Sequence, residues 1–112
     1  MALEVSPELR EILREPFGGG EGNPGFSFRE IEFIIADRKL LLVGVAKISY
    51  QGSDETWRIP LSFEEEDYRA ALASSPRPAL EWFAMVVREN VIEWWHTRRL
   101  EPNMPFPARR LA

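Results

Sequence analysis

The single histidine, His96, is the residue around which most familiar catalytic or metal-binding constellations in this sequence would have to be built. Glu93 precedes it by three residues and Glu89 by seven. On a helix Glu93 shares its side, which is the Glu-x-x-His spacing of carboxylate-bridged metal bundles. Those bundles need further copies of the motif on other helices, and the sequence has none. A histidine near a helix C-terminus is stabilised by the helix dipole with no ligand at all. His96 is read in that way, and no metal site is expected. The 112 residues contain no cysteine, so thiolate zinc sites, cysteine nucleophiles and disulfides are excluded.

Two further segments invite a chemical reading and do not carry it. Glu64-Glu65-Glu66-Asp67 could offer oxygen ligands to a hard cation, but it lacks the alternating Asp/Asn and Gly pattern of a calcium loop. Acidic residues opening a helix favour its dipole without a ligand. The stretch Gly18-Gly19-Gly20-Glu21-Gly22-Asn23-Pro24-Gly25 suggests a phosphate cradle. A phosphate loop must follow a strand and open a helix. This one lies between a helix and a strand, holds no cation and carries Glu21, so residues 17–25 are expected to form a mobile loop. No cofactor is expected.

The C-terminal segment, residues 101–112, is proline-rich. Pro102, Pro105 and Pro107 bias it towards extended geometry, with Met104 and Phe106 as apolar anchors. From Arg98 onward it carries four arginines and one glutamate, net +3, while the whole chain is at −4. A docking arm for an acidic partner or a phosphate backbone is one reading. Packing on its own domain is the other. The acidic balance of the whole argues against a surface that coats nucleic acid.

The elements that must position these groups follow from periodicity. Ser6-Pro7-Glu8 has the form of a helix start, and Leu9, Ile12 and Leu13 give a short apolar stripe ended by Pro16. From Phe26 to Ala36, Ile31, Phe33 and Ile35 alternate with Glu30 and Glu32, as in a half-buried strand. Asp37-Arg38 reads as a tight turn. Leu40 to Tyr50 is apolar on both parities, with Leu41, Val43 and Val45 opposite Leu40, Leu42 and Ile48, so it should be central. After a turn at 51–54, Trp57, Ile59, Leu61 and Phe63 alternate with polar residues. Pro60 places that third strand at a sheet edge. Ser62 and Glu65 have capping-box spacing for a short helix through about Ala73. A long helix runs from Pro78 to about Leu100.

That helix has two apolar stripes. Leu80, Phe83, Ala84, Val87, Val91, Trp94 and Trp95 should cover the sheet. Trp82, Met85, Ile92 and His96 form a weaker stripe behind them, of the kind enriched at interfaces. The same order of elements occurs in double-stranded-RNA-binding domains. Such a domain wants lysines where this chain reads Ser74-Ser75-Pro76-Arg77-Pro78 behind an acidic helix, so RNA binding is not expected.

The expected fold is therefore α+β: a three-stranded antiparallel meander packed against a long C-terminal helix, with short N-terminal and middle helices. Residues 1–100 form the domain and 101–112 a tail. One long helix covers one sheet face, so Leu41, Val43 and Val45 need cover from the other helices or from a second copy. The expected function is a non-enzymatic interaction module, a homodimer acting through protein contacts at Trp82, Met85, Ile92, His96, Met104 and Phe106. The alternative is a small-ligand pocket or enzyme between sheet and helix, lined by Tyr50, Trp57, Arg58, Phe63 and Trp94. Nucleic-acid contact through the basic C-terminus ranks third. The opening residues show no basic stretch followed by an apolar run, and no apolar run could span a bilayer. A cytoplasmic protein without membrane contact is expected.

Overall fold

Three strands of twelve residues each, β2 (Gly25–Ala36), β3 (Lys39–Tyr50) and β4 (Ser53–Glu64), form the antiparallel meander that the alternation implies. The computed structural model describes residues 3–112. Both hairpins turn on two residues in the left-handed region. These are Asp37 and Arg38 in the first (φ 52° and 61°) and Gln51 and Gly52 in the second (φ 51° and 80°). Two-residue turns of this hand match the twist of the flanking strands. Asp37 and Gly52 are residue types such a turn prefers, whereas Arg38 and Gln51 are not.

The sheet has five strands, not three. A two-residue strand β1 (Phe17–Gly18) pairs with Gly25 and Phe26, and a two-residue strand β5 (Arg109–Arg110) pairs with Trp57 and Arg58. The order is β1-β2-β3-β4-β5, antiparallel throughout. The glycine stretch, expected as a loop from residue 17 to 25, folds back on its own strand. Gly19 N–H donates to the Pro24 carbonyl at 2.8 Å, and the Phe17 ring stacks on Phe26 with centroids 5.1 Å apart. Gly18, at φ 72°, leaves no space for a side chain beneath Phe26 and Pro24.

Helix α1 (Pro7–Leu13) begins where Ser-Pro-Glu places it, but the Ser6 side chain makes no capping bond. Ser6 is buried, and its N–H donates to the Ala71 carbonyl at 2.9 Å. The expected capping box at Ser62 is absent. β4 continues through Ser62 to Glu64, so Ser62 is a strand residue whose N–H donates to the Asn103 carbonyl at 2.7 Å. Helix α2 is only Glu65–Tyr68, followed by a 3-10 turn at Arg69–Ala71. Helix α3 spans Arg77–Thr97 and stops at Arg98, a left-handed residue (φ 54°) whose N–H donates back to the Trp94 carbonyl.

The two sheet faces differ sharply. Phe26, Phe28 and Ile31 of β2, Leu40, Leu42, Ala46 and Ile48 of β3, and Ile59, Leu61 and Phe63 of β4 join one buried cluster. The apolar sides of α1 and α3 complete it. α1 lies beside α3 on this same face: Arg88 Nη2 donates to the Ile12 carbonyl at 2.6 Å and Arg10 Nη1 to the Ile31 carbonyl at 2.5 Å. A bulge makes this inner face continuous. Phe28 pairs with Ala46 and Glu30 with Val45, leaving Arg29 as an extra residue between them. The Phe28 ring covers Gly44, where a β-carbon would collide with it.

Candidate functional site

The second stripe of α3 divides on folding. Trp82 and Met85 stand on the solvent side, 45% and 47% exposed. Glu89, Glu93 and His96 are also exposed, whereas Ile92 is half-buried against the core. His96 sits in the last helical turn, where the dipole favours it. Among the described residues no group of three or more His, Cys, Asp or Glu is placed to hold a metal ion. Two of the four residues of the acidic run make surface pairs: Glu64 with Lys39 at 3.6 Å, and Glu65 with Arg69 at 3.1 Å.

Of the aromatic residues expected to line a pocket, Phe63 borders the groove described below, whereas Trp94 lies in the core and Tyr50 and Trp57 are half-buried against it. Trp94 is fully buried with its ring centroid 4.9 Å from that of Trp57; Phe63 meets Phe83 at 4.8 Å and Tyr50 meets Trp95 at 6.1 Å. Arg58 pairs in register with Val45 and Arg109, which puts it on the other side of the sheet.

A groove of about 560 Å³ does exist, between α3, the end of β4 and the C-terminal segment. Trp82, Phe83 and Val86 form its helical wall, and Met104 its opposite side. Met104 is buried, so this anchor of the tail is spent on its own domain, while Phe106 remains 43% exposed. The tail lies along the free edge of β4. Besides the Ser62 bond, Leu111 N–H donates to the Thr56 carbonyl at 2.8 Å, and Thr56 N–H to the Ala112 carbonyl at 3.1 Å. Pro60, between these bonds, has no donor to satisfy. The tail thus protects the edge that Pro60 marks.

The basic end is partly neutralised by a residue that sequence pattern does not single out. Glu55, 17% exposed, accepts from Trp57 Nε1 at 3.2 Å and lies 3.5 Å from both Arg98 and Arg110. Its partners come from β4, the end of α3 and β5, and only the fold brings them together.

The surface with no internal explanation is the outer face of the sheet. Each row is set by register: Ile34, Leu41 and Ser62; Glu32, Val43 and Pro60; Glu30, Val45, Arg58 and Arg109. Leu41, Val43 and Val45 are half-buried, Pro60 beside Val43 is buried, and Ile34 is 51% exposed. Both longer helices lie on the opposite side. Acidic residues flank the apolar centre on β2, and arginines flank it on β4 and β5. At the far end of this face Lys47 and Asp54 pair at 3.3 Å. The Ser49 hydroxyl, and then Lys47, hold the Asp54 carboxyl below its usual range. The apolar triplet was visible in the alternation of β3. Its charged margins emerge only when the hairpin registers are known.

No helix among the described residues is long and apolar enough to cross a membrane. The chain matches no known protein family, and no curated protein or solved structure matches it significantly.

Proposed function

We propose that this chain is a non-enzymatic interaction module that works through protein contacts and associates with itself. The observation that carries the reading is the outer sheet face, which neither longer helix covers, where Ile34 is 51% exposed and Leu41, Val43 and Val45 are only half-buried. A sheet in a two-layer fold buries one face, and an apolar second face is stabilised by a further layer. Both edges of this sheet are protected against pairing. The tail covers β4, while on β2 the bulge, Glu30, Glu32 and the Arg10 bond to the Ile31 carbonyl blunt the edge. Face-to-face contact is therefore favoured over strand addition. Sedimentation velocity across the micromolar range tests it: the wild type should sediment as a dimer and Val43→Glu as a folded monomer. A wild type that stays monomeric at every concentration defeats the reading.

The groove beside Trp82 supports a second reading, a small apolar ligand held between α3 and the tail. Native mass spectrometry of protein purified without additives tests that reading, which requires a retained small molecule lost in Trp82→Ala.

A further inference from the structure

Taking self-association as its premise, we propose that the second copy docks face to face on the outer sheet with the two-fold axis running along β3. Glu30 and Glu32 of each protomer then meet Arg58 and Arg109 of the other. Cross-strand register puts Glu30, Val45, Arg58 and Arg109 in one row across β2, β3, β4 and β5, all on the face away from the helices. Glu32 lies in the next row, opposite Val43 and Pro60. In these two central rows charge changes sign across the sheet, acidic at β2 and basic at β4 and β5, with Val43 and Val45 between; towards the ends of the face, Lys39 and Lys47 are paired with Glu64 and Asp54. None of the ion pairs among the described residues uses Glu30, Glu32, Arg58 or Arg109.

Two ways of stacking such a face on its own copy keep the strands aligned. A two-fold axis across the strands would lay β2 on β2 and β4 on β4, opposing Glu to Glu and Arg to Arg. An axis along β3 exchanges the sides, so β2 of one copy lies over β4 of the other. It also preserves position along the strand, which brings Glu30 to the level of Arg58. Packed sheets lie about 10 Å apart with strands nearly aligned, a gap that long Glu and Arg side chains span together. Val43 and Val45 would meet their own copies near the axis. Charge complementarity selects this axis and makes a second copy the matching occupant.

Three variants test the geometry. Glu30→Arg with Glu32→Arg, and separately Arg58→Glu with Arg109→Glu, should each weaken dimerisation by roughly tenfold or more. All four changes in one chain should restore it. The first variant takes the net charge from −4 to neutral, which on general repulsion alone would strengthen association. Its weakening would therefore be specific. A wild type that is monomeric throughout overturns both this inference and the self-association reading. A dimer broken by Val43→Glu but unmoved by the charge reversals, or not restored by the fourfold exchange, overturns the axis and leaves self-association standing. All four side chains are exposed, so circular dichroism should show an unchanged fold in every variant.

Discussion

The guanidinium of Arg98 lies over the ring of Trp95, 3.6 Å from its centroid, while Arg98 itself occupies the left-handed backbone position that ends α3. Arginine there trades a backbone penalty for a cation–π contact and the Glu55 pair. Arg98→Ala keeps the penalty and loses both contacts, so it should cost about 1–2 kcal/mol. Arg98→Gly should recover roughly 1 kcal/mol of that loss, since glycine enters this conformation freely. Urea unfolding of the two variants separates the terms.

Gly44→Ala should destabilise the protein by about 1–3 kcal/mol, because the new methyl group takes the space of the Phe28 ring on a packed face. Phe28→Leu in the same chain should be less costly than additivity predicts. A double-mutant cycle in urea measures that coupling.

The first hairpin carries two side-chain-bearing residues where its turn needs positive φ. Asp37→Asn with Arg38→Gly should raise stability by roughly 0.5–1 kcal/mol. The Arg38–Glu65 pair lost with it is long and solvent-exposed at 3.9 Å, and contributes little. A higher thermal midpoint with an unchanged urea slope is the expected result.

Asp54 gives the protein an acid-side pH dependence of predictable sign. The Ser49 hydroxyl and Lys47 depress its folded value, so the unfolded chain binds more protons between the folded and unfolded values. Stability from this group is present above the unfolded value and is lost as pH falls through the folded one. In an acid titration of the urea midpoint, Asp54→Asn should fall below wild type at neutral pH, and the gap should close in acid.

Trp82 and Trp94 are two tryptophans on different faces of one helix, the first 45% exposed and the second buried. Trp94→Ala should cost about 3–5 kcal/mol, having emptied the centre of the core. Trp82→Ala should change monomer stability by less than about 0.5 kcal/mol. Thermal unfolding at low protein concentration checks both.

Much of this architecture is legible in the sequence because its strands are long. The alternations at Ile31–Ile35 and Trp57–Phe63, the doubly apolar run of β3 and the stripe from Leu80 to Trp95 each span several residues of their pattern, and the meander and α3 follow from them. β1 and β5 are two residues each, too short for any period, and are set by pairing to Phe26 and Trp57 across the fold. Ser62 and Glu65 show why local motifs mislead: the capping spacing is present, but the Asn103 carbonyl recruits the Ser62 amide into the sheet edge. The need for cover over Leu41, Val43 and Val45 could be read from β3. That α1 would lie beside α3, leaving them uncovered by either helix, depends on tertiary contacts such as the Arg88 bond to Ile12.

The bulge at Arg29 has a consequence for how this strand can change. Phe26 and Phe28 are even-numbered, Ile31, Phe33 and Ile35 are odd-numbered, and all five face the helices. The extra residue is a phase shift between two halves of one strand. Flattening the bulge while keeping Arg29 would force a choice between Phe26 with Phe28 and Ile31 with Phe33 and Ile35, with Glu30 and Glu32 turned into the core in one outcome. Deleting Arg29 itself would instead leave Phe26, Phe28, Ile31, Phe33 and Ile35 on one unbroken alternation with the same β3 partners. A loss at this single position is therefore the change of length that the strand can absorb, while an insertion or deletion elsewhere along it would turn half of its side chains over.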